Sequence, residues 1–280
     1  MSKAIILGHG FISSHLEKRL KDDGMIVEVM SDKDIHYSKK LECDYLFRLS
    51  AYGNHYNQCL YNTDEWKMIE ANILNLFQLL EFTKDVSYKV FINFSTSSVT
   101  LPIQTVYSAT KHSGEYICEA FCQKYRKPIV SVRPYSVYGP GEADFRFIPT
   151  IINKGLNGDK PKVILEPRHD WIYVEDLINA VLLIVKNIGI LRDQLIPIGT
   201  GISWSNQEIV DIIDEIFKQY DDNYKEIFYD VLLKDLREYD TQEWVANISI
   251  LKSLGWSQKY SLREGLIECF KYYKKKHEAA

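Results

Sequence analysis

Tyr107 and Lys111 stand four residues apart in "YSATK", with only small residues between them. On a helix this spacing puts both side chains on one face, one turn apart. An ammonium close to a phenol favours the phenolate and lowers its pKa from about 10, which suits proton transfer near neutral pH. The spacing alone does not establish that chemistry, because the chain holds 19 tyrosines and an ordinary surface helix accepts the same turn. A second stretch, "GHGFIS" from Gly8 to Ser13, pairs two glycines ahead of an apolar residue. Between a strand and a helix, such a turn lets the backbone approach a pyrophosphate at the helix N-terminus.

The elements that must position these residues follow from hydrophobic periodicity. "KAIILG" is a short apolar run that stops at glycine, and "SHLEKRLKDDG" is helical with a glycine stop. "MIVEVMS", "CDYLFRLSA", "YKVFINFST" and "PIVSVRPYSVYG" are further strands, and "EWKMIEANILNLFQLLEFTKD" and "SATKHSGEYICEAFCQKYRK" are helices between them. Strands alternating with helices predict β-α-β units and a doubly wound parallel sheet, an α/β fold. After Gly141 the character changes: short strands precede a helix-rich, polar C-terminal region, with no internal repeat. The expected division is residues 1–146 with 169–200 for the dinucleotide-binding domain, and 147–168 with 201–280 for a smaller, discontinuous α/β substrate domain.

Composition narrows the classes. The chain has 280 residues, 46% hydrophobic and 26% charged, which is a globular rather than a disordered composition. No apolar run reaches the ~20 residues that span a bilayer, and "MSKAIILGHG" moves directly into a strand, without a signal-peptide pattern. A cytoplasmic protein is expected, with no membrane partner. The net charge is −4, and the basic run "KYYKKKHE" reads as a solvated helix end rather than a nucleic-acid arm. The cysteines are Cys43, Cys59, Cys118, Cys122 and Cys269; no histidine accompanies the Cys118–Cys122 pair, so reduced thiols are expected and no metal site.

The end of the second strand bears on the cofactor. The position that would carry a ribose-binding carboxylate is Ser31, followed by Asp32 and Lys33. Serine with a nearby lysine suits a 2′-phosphate, which favours NADP(H). Asp32 is the counter-argument, since a small shift would place its carboxylate on the ribose of NAD(H).

The ordered set "GHGFISSHL", "DYLFRLSA", "FINFSTSSV", "YSATK", "VSVRPYSVYGPGE", "RHDWIYVEDL", "IPIGTG" and "VANISILKSLGWS" covers nearly the whole chain. It resembles the extended short-chain dehydrogenase/reductases, and among them the nucleotide-sugar epimerases, dehydratases and 4-keto reductases. The resemblance implies a Rossmann sheet and NAD(P)-dependent chemistry on a nucleotide-diphosphate sugar. Gly8, Gly10, Phe11 and Ile12 match the phosphate turn. Leu49, Ser50 and Ala51 match the strand end along the cofactor, and Pro134 to Val137 the segment beside the nicotinamide. Thr96 matches the residue that hydrogen-bonds the reacting oxygen, Tyr107 the catalytic acid/base, and Lys111 the lysine that binds the nicotinamide ribose. Arg237 and Asp240 match an R-x-x-D whose arginine binds the substrate diphosphate. In that family the helices here containing Asn72 and Tyr107 commonly pair across a two-fold axis, so a homodimer built on a four-helix bundle is expected.

Departures from the pattern refine the expectation. Ser13 stands where the last glycine of the turn is usual, and only 11 positions separate Thr96 from Tyr107, which shortens a loop near the sugar. Ser97 and Ser98 replace the Asp-Glu pair with which the dehydratases eliminate water, so dehydration is not expected. Ser136 replaces a usual substrate asparagine. The usual R-D reads R-H-D, with His169 in the arginine register and Arg168 beside it, and Arg168 is the expected phosphate contact. The polar, aromatic segment after Ala51 makes Tyr52 and His55 the first substrate candidates. The expectation is an NADPH-dependent reductase of a nucleotide-linked 4-keto-6-deoxyhexose serving surface polysaccharide. The alternatives are an NAD-dependent 4-epimerase and a non-catalytic NADP(H)-binding regulator.

Overall fold

Apolar runs of four to six residues, each closed by a glycine or a polar turn, form one parallel sheet in the computed structural model. It describes residues 1–35, 41–54, 64–221, 227, 229–231 and 243–279. The strands are β1 (Lys3–Leu7), β2 (Ile26–Met30), β3 (Tyr45–Arg48), β4 (Val90–Phe94), β5 (Ile129–Pro134) and β6 (Leu195–Ile198). Their spatial order is β6-β5-β4-β3-β1-β2. The chain leaves β1 to one side for β2 and then returns to the other side for β3, so a topological switch point lies at β1. Ligands of open α/β sheets bind at the carboxyl ends of strands at such a point. Register brings three of those ends level: Leu7 lies beside both Met30 and Arg48.

The helices of this unit are α1 (Phe11–Asp22), α2 (Glu65–Ile69), α3 (Asn75–Thr83) and α4 (Val106–Tyr125). All five residues of β4 are buried, as expected of a strand covered on both faces. Ile5, Leu7 and Leu46 of the sheet pack with Leu76, Leu79 and Leu80 of the α3 region and with Cys118 and Phe121 of α4 in one core cluster. The single long helix expected over residues 65–85 is interrupted. A π-helical segment, Glu70–Leu74, joins α2 to α3, and it carries the buried Asn72.

The described chain divides into two units, 1–134 with 178–198 and 135–177 with 199–280. The first boundary lies earlier than the expected 146, because Ser136–Tyr138 leaves the main sheet and pairs in parallel with Trp171–Tyr173. The second unit has strands of two or three residues and the helices Phe147–Asn157, Asn206–Tyr220 and Leu262–Glu278. Two of these start in capping boxes, Ser205 with Glu208 and Ser261 with Glu264. Two buried carboxylates organise its loops. Asp170 accepts hydrogen bonds from Thr200 N, Thr200 Oγ1, Gly201 N and Ala246 N, and Asp176 accepts from Lys259 N and Tyr260 N. Among the described residues no helix is long and apolar enough to cross a membrane, and no group of three or more potential ligands is placed to hold a metal.

Candidate active site

The glycine turn closes in a way the sequence does not announce. Gly8 has φ +112°, and a Cβ there would stand 2.8 Å from Ser50 N, so β1 and the end of β3 meet only because that side chain is missing. Ser13, at the position of the last glycine, accepts from Gly10 N at 2.6 Å and donates to Gly10 O at 2.8 Å. The serine therefore ties down the first turn of α1 while the helix N-terminus still presents its leading N–H groups.

That turn forms one wall of a cleft of about 530 Å³, lined by Gly8 to Ser13, Ser31, Asp32, Leu49 to Tyr52, Lys67, Glu70, Ala71 and Asn75. The expected cofactor residues Gly8, Gly10, Phe11, Ile12, Ser31, Asp32, Leu49, Ser50 and Ala51 thus share one cleft, with Tyr52 among them. The narrow glycine cradle, the helix N-terminus and the strand ends at the switch point fit a dinucleotide diphosphate. The Ser31 hydroxyl donates to Asp34 Oδ2 at 2.7 Å and its N–H meets the same oxygen at 2.8 Å. The Lys33 side chain, His55, Cys59, Arg237 and Asp240 lie outside the described residues.

The catalytic candidates sit beyond β4. Thr96 accepts from Ser98 N at 3.2 Å and lies 3.2 Å from the Ser98 hydroxyl, while Ser97 and Ser98 are buried. α4 begins in a second capping arrangement. Thr105 Oγ1 accepts from Ser108 N at 3.2 Å and Ser108 Oγ accepts from Thr105 N at 2.8 Å, so Tyr107 is held in the first turn. One turn later Lys111 is buried and donates to Phe94 O at 2.6 Å, which brings it to the carboxyl end of β4, two residues before Thr96. Burial, followed by the nearby Arg48 guanidinium, pulls the Lys111 ammonium down to about 7. A bidentate pair from Arg133 of β5 to Glu115, at 2.8 and 2.6 Å, fixes α4 against the sheet.

Two residues that the sequence did not single out connect these parts. Asn72 Oδ1 accepts from Tyr52 N at 3.0 Å, and its Nδ2 donates to Tyr52 O at 3.1 Å and to Thr110 Oγ1 at 3.0 Å. It therefore links the cleft wall to the helix of Tyr107 and Lys111. Arg48, 1% exposed, pairs with Asp32 at 3.2 Å. The signal available was a charged residue ending an apolar strand.

Pro134 closes β5 in the first unit, and Ser136 and Val137 lie on the first short strand of the second. Arg168 is already engaged, by Ser203 Oγ at 3.2 Å, Ser203 O at 3.0 Å and Glu208 at 3.2 Å. His169 packs against the rings of Trp171 and Trp244 at centroid distances of 5.7 and 5.6 Å.

Comparison with known proteins adds a family model and full-length likenesses. The model of the NAD dependent epimerase/dehydratase family matches residues 4–194. CDP-abequose synthase of Salmonella typhimurium is 24% identical over 295 residues, covering 94% of this chain and 95% of that one. UDP-glucuronate 4-epimerase of Thermodesulfobacterium geofontis is 28% identical over 229 residues, covering 72% and 64%. Several other curated relatives are likewise matched over about two thirds of their length. The crystal structure of UDP-glucuronic acid 4-epimerase from Bacillus cereus, in complex with UDP-glucuronic acid and NAD, superposes with a TM-score of 0.86 at 24% identity, covering 98% of this chain and 99% of that one.

Proposed function

The chain belongs to the NAD dependent epimerase/dehydratase family, and from that premise we propose that it reduces C4 of a nucleotide-linked 4-keto-6-deoxyhexose. It is an NAD(P)-dependent oxidoreductase of the extended short-chain dehydrogenase/reductase type, and the finer reading is ours. When bound, a nicotinamide would supply the hydride. Tyr107 gives a proton to the developing alkoxide, Thr96 hydrogen-bonds the same oxygen, and Lys111 holds the ribose and tunes Tyr107. The observation that carries this reading is the Lys111–Phe94 bond of 2.6 Å, which anchors the helix of Tyr107 at the strand end followed by Thr96. Ser97 and Ser98 offer no carboxyl for elimination of water. CDP-abequose synthase, a relative matched along nearly its whole length, supports a place in deoxysugar synthesis; service to a surface polysaccharide, in the cytoplasm, is part of the proposal.

Tyr52, His55, Ser97, Ser136, Arg168 and Arg237 are proposed for the nucleotide sugar. Of these, Arg168 must exchange its bonds to Ser203 and Glu208 for a phosphate, so Arg237 is the stronger candidate. A homodimer is supported by Trp66, Leu74, Phe77 and Tyr116, large exposed apolar side chains carried on α2, the π-helical segment, α3 and α4. Elution at monomer mass at working concentration contradicts it.

A 4-epimerase is the second reading, favoured by one observation. Ser31 is occupied by Asp34, which weakens the case for a 2′-phosphate and so for NADPH. The test is an assay of dTDP-, CDP- and GDP-linked 4-keto-6-deoxyhexoses with NADH and NADPH, with product NMR. Stoichiometric oxidation of the dinucleotide with a new C4 carbinol supports the reductase. Interconversion of C4 epimers by protein that purifies with NAD bound, without net oxidation, supports the epimerase.

A further inference from the structure

A π-helical turn takes the helical donor away from one carbonyl, and in this chain a buried arginine serves that carbonyl instead. Asn75 N–H bonds Glu70 O, five residues back. In an α-helix that N–H would serve Ala71 O, four residues back. Ala71 O accepts from Arg48 Nη2 at 2.6 Å, and the same nitrogen donates to Asp32 Oδ2 at 3.2 Å. Arg48 ends β3 and is 1% exposed. A guanidinium is costly to bury, so the partners it keeps there decide which parts of the fold it holds.

The turn sets the direction in which the next residue faces. Asn72 Nδ2 donates to Thr110 Oγ1 at 3.0 Å, and Thr110 precedes Lys111 on α4. The two helices touch here: a Cβ on Gly114 would stand 3.0 Å from Leu76 Cδ2 and 3.6 Å from Asn72 O. Rewinding the π turn into an α-helix swings the residues on one side of it by about 100° relative to those on the other. Asn72 and Leu76 then no longer both meet α4. A short chain of contacts thus runs from Arg48 to Ala71, and from Asn72 to the residue beside Lys111. Register adds a second link. Arg48 lies opposite Asn93, and the next residue, Phe94, gives Lys111 its acceptor. The charge of Arg48 opposes the buried Lys111 ammonium, while Glu115, Cys118 and Asp32 act the other way.

We propose that Arg48 is a positioning residue for the proton transfer: it holds the π-helical turn at Ala71 O, and through Asn72 and Thr110 it fixes the turn of α4 that carries Tyr107 and Lys111. The inference rests on the reading of those two residues as the proton-transfer pair. It concerns neither the choice of dinucleotide nor the identity of the sugar. Asp32 enters it only as the anion that keeps the guanidinium in place.

The test follows kcat against pH for the full-length protein at saturating dinucleotide and sugar, with whichever 4-keto sugar or C4 epimer the wild type turns over. Arg48→Met should lower kcat by at least about tenfold. It should also move the alkaline limb up by about one pH unit, because a cation near the Lys111 ammonium has gone. Asn72→Ala should lower kcat by a similar factor and leave the limb in place. Wild-type kcat in Arg48→Met overturns the proposal, and so does a lowered kcat with an unmoved limb, which marks a merely structural role. In urea, without cofactor, the double variant should lose less stability than the two single losses added together, and strict additivity breaks the link. Should Arg48→Met not fold, wild-type kcat in Asn72→Ala overturns the proposal, as does a crystal structure of the wild type with Glu70–Leu74 wound as an α-helix. Wild-type turnover in Tyr107→Phe refutes the pair itself, which is a different failure from a pair that works without Arg48.

Discussion

At the scale of single residues, Gly8 and Lys111 carry the sharpest constraints. Gly8→Ala places a methyl 2.8 Å from Ser50 N on a backbone with φ +112°, where both neighbours are main chain and cannot swing aside. The variant should lose about 2 kcal/mol or more of stability and at least tenfold in dinucleotide affinity, read by thermal melting and fluorescence titration. For Lys111, the folded value of about 7 lies below the unfolded 10.5. Between those values the unfolded chain binds a proton that the folded chain lacks, so stability rises with pH across that window and is flat below it. In urea, cofactor-free wild type should gain at least about 1 kcal/mol on Lys111→Met between pH 7 and about pH 9.5. A constant difference between the two proteins contradicts a lysine whose ammonium is pulled down by burial.

At the scale of elements, the start of α4 decides where Tyr107 stands. Thr105→Ala removes the acceptor for Ser108 N and should cost about 1 kcal/mol. Because Tyr107 lies in that first turn, turnover should fall more than cofactor affinity does, and equal loss of both would place the cap outside the chemistry. The alternation that builds the sheet was legible, since β1, β4 and β5 are apolar runs bounded by turn residues. The glycine turn and the YSATK helix were legible because their spacing is local. The π-helical segment at Glu70–Leu74 was not, because an apolar period read over 65–85 is satisfied by an uninterrupted helix. Neither was Asn72, whose partners Tyr52 and Thr110 are 20 and 38 residues away, nor the pairing of Arg48 with an aspartate 16 residues earlier. Periodicity has no access to such tertiary bonds.

At the scale of the molecule, the first unit follows the sequence closely, while the second is built from very short strands held by Asp170 and Asp176. Its boundary at 134 was hidden because Ser136–Tyr138 reads as a continuation of β5 until its partner strand is known. Glu142 gives this unit its own pH dependence. Burial pushes its carboxyl up to about 7, against the pull of Arg146, whose Nε donates to Glu142 Oε1 at 3.1 Å. The folded value lies above the unfolded 4.5, so stability falls as pH rises from 4.5 to 7 and the loss is complete above that. Glu142→Gln should therefore gain on wild type in melting temperature between about pH 5 and about pH 8, and a gap independent of pH removes Glu142 as the cause.

We propose that Tyr107 moves the proton at C4. It is tested most directly by the turnover of Tyr107→Phe on the 4-keto sugar accepted by the wild type, measured with dinucleotide binding on the same preparation. The prediction is a fall in kcat of roughly 10²- to 10⁴-fold with the dinucleotide still bound. Turnover close to the wild-type rate by a protein that binds the dinucleotide normally contradicts it.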